Sequence, residues 1–206
     1  MIRAGKTFLL IGLAGLALAI AALAGCGTAT WLKDKFDPRT PGPDQAYQAA
    51  LEPYLATATV YAGPATELKA AVLPLAGPVR RAMVERSAAA LGWTPAEKAR
   101  RLADQDRDAA GDLELLLSVY VPERKWNDLT ALKPDWLVYL VDKDGQKQRP
   151  LDVRLIKQRS ALNEALYYFW GPWDKLYRLR FKPVAGPARL LITGAPGSDA
   201  VALKLD

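Results

Sequence analysis

The sequence predicts a mostly β protein, a β-sandwich of about eight short strands with one helical insertion. Two observations predict it: apolar residues recur with period two through most of the chain after residue 111, and Gly, Pro or Asp-Gly signals separate the runs at intervals of about 8–12 residues. A third observation places the helices. The stretch at about 65–110 carries helix start and stop signals and lies between the first and second predicted strands.

Each element follows from its own residues. "TATVYAG", residues 57–63, is β-branched and alternating and is the expected first strand. "VRRAMVERSAAALG" is helical and ends at Gly92, a residue suited to the left-handed stop after a helix. Thr94, Pro95, Ala96 and Glu97 then form a capping box with proline at the first helical position. The second helix runs on through Arg100 and stops at Gly111, with a narrow Ala and Leu102 face and an otherwise charged surface. From Asp112, Leu113, Leu115, Leu117, Val119 and Val121 share one strand face; Asp112, Glu114, Ser118 and Tyr120 share the other. "DWLVYLVDKDGQKQRPLDVRLI" is expected to be a hairpin around Asp144 and Gly145. "ALYYFW", "KLYRLRFK", "ARLLIT" and "AVALKL" supply four more predicted strands. In "LYRLRFK", Tyr177, Leu179 and Phe181 point one way and Arg178, Arg180 and Lys182 the other, giving one dry face and one wet, positive face. Strands of this number and spacing describe an immunoglobulin-like sandwich with the helical pair packed over one end or edge.

The first residues address the chain. Arg3 and Lys6 precede an uncharged run from Thr7 through Leu32, the pattern of a secretory signal over residues 1–25. Leu23, Ala24 and Gly25 lead directly to Cys26, the one cysteine of the chain. This short stretch resembles the lipobox of bacterial lipoproteins. The resemblance implies cleavage before Cys26, diacylglycerol on its thiol and acylation of the new amino group, and two or three acyl chains make a stable membrane anchor. It also implies outer-membrane sorting with the domain in the periplasm, because Gly27 stands where an aspartate favours inner-membrane retention. An uncleaved transmembrane helix is the competing reading of the apolar run, weakened by its many Ala and Gly residues. Residues 26–46, with Pro38, Pro41, Gly42 and Pro43, are read as a lipidated N-terminus and semi-extended tether, and residues 47–206 as the folded domain.

Composition excludes much chemistry. With no histidine in 206 residues, Ser/His/Asp and Cys/His nucleophilic sites, histidine-built zinc sites and imidazole bases are all ruled out. Lipidation would consume the single thiol, and without paired cysteines the domain must be held by burial alone. The formal charge of +6 is dispersed rather than blocked, which argues against a nucleic-acid partner. Asp104, Asp106, Asp108 and Asp112 have the spacing of a calcium loop, but Ala109 stands at its obligatory glycine and Leu115 at its bidentate glutamate, so no metal or other cofactor is expected. Glu114, Glu123, Asp128, Asp135 and Glu164 are too scattered to nominate a catalytic pair, and no catalytic residue is assigned.

The expected function is therefore a non-catalytic binding, scaffolding or envelope-assembly role at the membrane, with envelope proteins or an anionic cell-wall glycan as partners. A carbohydrate- or cell-wall-binding module is the alternative, and a histidine-independent hydrolase comes third. If the domain has a ligand-binding surface, it is expected at Trp170 and Trp173, on a Gly-Pro turn, beside Arg178, Arg180 and Lys182; the alternative is a solvated strand face with a buried aromatic corner. "PERKWNDL", a polar loop around Trp126, is read as placing that Trp as a plug at one end of the sandwich, with a recognition loop as the alternative.

Overall fold

A computed structural model describes residues 43–206. The signal run, Cys26 and most of the expected tether lie outside the described residues. The chain is mostly β, with nine strands in two antiparallel sheets and four α-helices among the described residues. The elements are α1 (Pro43–Leu51), β1 (Ala56–Ala62), β2 (Ala65–Pro74), α2 (Gly77–Leu91), α3 (Pro95–Ala109), β3 (Leu113–Tyr120), β4 (Trp136–Val141), β5 (Lys147–Gln148), β6 (Asp152–Ile156), α4 (Ala161–Leu166), β7 (Lys175–Phe181), β8 (Ala188–Gly194) and β9 (Gly197–Leu203). The first sheet has the order β1-β2-β3-β7-β6 and the second β5-β4-β8-β9.

Alternation drives the two sheets together. Leu115, Leu117 and Val119 of β3, with Tyr177, Leu179 and Phe181 of β7, join Trp136, Val138 and Leu140 of β4 and Leu190 and Ile192 of β8 in one buried cluster. The β3–β7 register sets Leu115 opposite Leu179 and Leu117 opposite Tyr177, so one face of both strands is dry together. The edges β1 and β9 meet at a seam: Thr59 N–H donates to Asp199 Oδ2 at 2.9 Å, and Gly197 lies against Val60, where an added Cβ would come within 3.1 Å of Cγ1.

The other face of the five-stranded sheet is covered as well. Leu73, Leu116 and Leu176 point away from the second sheet and pack against Tyr47 and Leu51 of α1, Val79 of α2 and Leu166 of α4 in a second buried cluster. The helices thus form a third layer on the sheet face rather than a cap on one end or edge. Leu115, Leu116 and Leu117 are all buried because β3 is the inner strand of a middle layer, and such strands do not alternate.

Several expectations are corrected. Residues 65–74 form β2, so the helical pair follows the second strand, not the first. β2 hides its identity in sequence because its end, with Val72, Leu73 and Pro74 all buried, packs on both sides. Helix α1 spans Pro43–Leu51, and the Tyr47 hydroxyl donates to Leu166 O at 2.8 Å. "ALYYFW" is not a strand: Ser160 caps α4, its hydroxyl accepting from Asn163 N–H at 3.2 Å, and the aromatics leave in turns. The Asp144–Gly145 turn forms, with Gly145 at φ 79° and Asp142 Oδ1 accepting from the Asp144 and Gln146 amides. Only β5 pairs back on β4; β6 crosses to the first sheet beside β7.

Candidate functional site

Two regions gather chemistry that the fold alone does not demand. The first is at the end of the five-stranded sheet where β3 finishes and β7 begins. The turn before β7 is tightly built: Trp170 Nε1 donates to Asp174 O at 3.0 Å, Gly171 N–H donates to Asp174 Oδ2 at 3.1 Å, and Ser118 Oγ donates to the same oxygen at 2.7 Å. An added Cβ at Gly171 would meet that carboxylate at 2.8 Å, so any larger residue there would have to displace the Asp174 side chain that organises the turn. The Arg159 guanidinium stacks over Trp170 at 4.0 Å and bonds to Gly171 O. Trp170 is consequently buried at 8 % exposure while Trp173, thrown outward, is 68 % exposed.

A second loop meets this one. Asn127 is buried, its amide donating to Val119 O at 2.8 Å while its own carbonyl accepts from the Tyr177 hydroxyl at 3.1 Å. Burial pushes the Tyr177 hydroxyl up to about 12, so it remains a neutral donor. Asn127 and Leu129 thus fill the sheet end expected of Trp126, which instead stands 39 % exposed under the Lys125 ammonium, 5.4 Å from its ring. Arg124 lies over Trp173 at 5.8 Å and ties the two loops together. Two exposed indoles and two cations therefore stand on these two adjoining loops.

The expected surface is only partly assembled. Trp173 belongs to it and Trp170 lies beneath it. Arg178 and Arg180 point to the helix side of the sheet, bonded to Glu114 at 2.9 Å and Asp112 at 3.2 Å. Lys182 is exposed past the far end of β7, about 30 Å from Trp173 along an extended chain. The two cations Arg124 and Lys125, with Trp126, stand beside Trp173 instead; "PERKWNDL" carried the signal, three charges and a Trp in four consecutive residues from Glu123 to Trp126.

The second region is a cleft of about 260 Å³ between the helix pair and the sheet, floored by Leu116 and Ile156 and walled by Met83 and Val84. Arg80, Arg101 and Arg178 also line it. Arg80 is 3 % exposed and fully engaged: Nε donates to Leu75 O at 2.7 Å, Nη1 to Gln105 Oε1 at 3.0 Å and Nη2 to Glu114 Oε2 at 2.7 Å. Sequence reasoning missed this arrangement, because its members come from four separate elements and no spacing connects them.

The five acids considered for catalysis do not assemble. Glu114 serves two arginines, and Asp128 is tied to Thr130 and held below its ordinary range first by the Thr130 hydroxyl. Asp104 pairs with Arg107 and Asp112 with Arg180, and among the described residues no group of three acidic, Cys or His side chains is placed to hold a metal ion. No described helix is long and apolar enough to cross a membrane. No protein family model, curated protein or solved structure matches this chain.

Proposed function

We propose that the protein is a lipid-anchored, non-catalytic binding protein of a bacterial envelope, acylated at Cys26 and sorted to the outer membrane with its domain in the periplasm. Its scaffold reads as an immunoglobulin-like sandwich carrying a helical layer. The observation that carries the binding role is the pair of exposed indoles, Trp126 and Trp173, each with a cation over its ring and delivered by loops that buried and half-buried hydrogen bonds hold in place. Anchored loops keep large aromatic surface available at little ordering cost. A glycan ligand is the second reading, supported by Trp173: a ring 68 % exposed offers a flat face on which a sugar can stack.

Two measurements test this. Cys26→Ser should leave an unprocessed precursor that no longer labels with fatty acid; a free Cys26 thiol in mature wild-type protein would refute the anchor. Co-sedimentation with purified cell-wall sacculi should fall about tenfold when Trp126 and Trp173 are both replaced by Ala, and should weaken with salt, since screened cations lose attraction for an anionic polymer. Retention of the folded double variant at wild-type levels would reject the loop surface.

A further inference from the structure

The cleft beneath α3 is unexplained by either the scaffold or the loop surface. Its floor and inner wall are apolar, yet three guanidiniums line it and no acid does among the described residues. The one carboxylate bonded to this set, Glu114, is divided between Arg80 and Arg178. Arg80 is consumed by its three bonds, which brace the floor. Arg178 is not: Nη2 reaches Glu114, but Nε is enclosed without an acceptor, and a buried donor left unpaired is costly for a fold to retain. Arg101 lies on the roof, held over the Trp93 ring at 5.5 Å.

The roof is also unusual. Helix α3 buries none of its residues. At about 260 Å³ the space is just below the usual range of small-molecule sites, which limits the occupant to a short body.

We propose that this cleft binds a small amphiphilic oxyanion, a carboxylate or phosphate monoester on a short apolar body, with the oxyanion between Arg178 and Arg101 and the body on Leu116 and Ile156. Planar guanidiniums match both oxyanions in forked hydrogen bonds, and an apolar floor rewards the body. The site is independent of the loop surface and of the anchor.

Calorimetric titration of the full chain with octanoate, octyl phosphate, octanol and inorganic phosphate tests it. At least one amphiphilic anion should bind ten times or more tighter than both octanol and inorganic phosphate; octanoate alone identifies a carboxylate site and octyl phosphate alone a phosphate site. Arg178→Met should weaken binding at least tenfold. Arg101→Met, on the exposed roof, should weaken it severalfold with an unchanged melting temperature, and decides the question if Arg178→Met does not fold. Binding should also change tryptophan emission, and Trp93→Phe should remove that change. The proposal fails if octanol binds as well as the anions, if neither anion binds, or if Arg101→Met binds like the wild type. It fails equally if Trp126→Ala with Trp173→Ala abolishes binding, which would move the anion to the loops.

Discussion

Helices α2 and α3 are consecutive, each 15 residues long, and each carries a proline in its first turn, yet they are stabilised in opposite ways. Helix α2 has no side-chain cap at its start and buries Val79, Arg80, Val84, Ser87 and Ala88. Helix α3 has a complete capping box, Thr94 Oγ1 accepting from Glu97 N–H while Glu97 Oε2 accepts from Thr94 N–H, and buries nothing. One helix exists because it packs; the other because its sequence favours a helix locally. Where tertiary contacts are plentiful, local signals can be dispensed with, and where contacts are few, local signals must be complete.

The contrast is sharpest at the sheet face under α2. Leu116 is 2 % exposed against that helix layer, and Leu116→Ala should lower global stability by about 2–5 kcal/mol, measured by denaturant unfolding. A cost below 1 kcal/mol would mean that the helix layer is not part of the cooperative unit. An intermediate effect is expected on α3: Thr94→Ala should cost about 1 kcal/mol of local helix stability, seen as faster amide exchange in residues 95–109 with little change in the global midpoint. A fall in the midpoint of many degrees would erase the distinction between the two helices.

Acid gives the smallest effect. The Thr94 N–H, and then the Thr94 hydroxyl, hold the Glu97 carboxyl below its ordinary value. A lowered carboxyl in the folded state adds stability above the unfolded pKa, and that contribution disappears as pH falls through the folded one. The Cα chemical shifts of the first turn of α3 should therefore drift toward coil values on acidification through and below the ordinary glutamate range, while those of α2 stay constant. Matching drift in α2 would show that both helices depend on the same support.

The same physics explains what the sequence disclosed. The capping box, the stop at Gly92 and the alternation of β7 were legible because each depends on neighbours in the chain. β2 was read as the start of the helical stretch, since a strand ending between two layers loses its period-two pattern. The three consecutive leucines of β3 were the available sign of a middle layer, but Leu116 has no place in a one-sided reading. "ALYYFW" read as a strand because aromatic content marks burial as much as extension. At the sites, Trp173 was found by its turn, whereas Arg80, Glu114 and Arg178 meet only through tertiary structure.

The seam between β1 and β9 has a consequence for how copies of this chain behave when crowded. An edge strand with unpaired N–H groups is a template for another strand, and β1 is such an edge. At Thr59 that template is spoiled from within, because Asp199 of the other sheet spends its carboxylate on the amide an incoming backbone would need. The charge that closes the seam is also unwelcome to a zipper of stacked neighbours, which favours segments of low net charge. One aspartate thus acts as glue within a molecule and as a refusal between molecules.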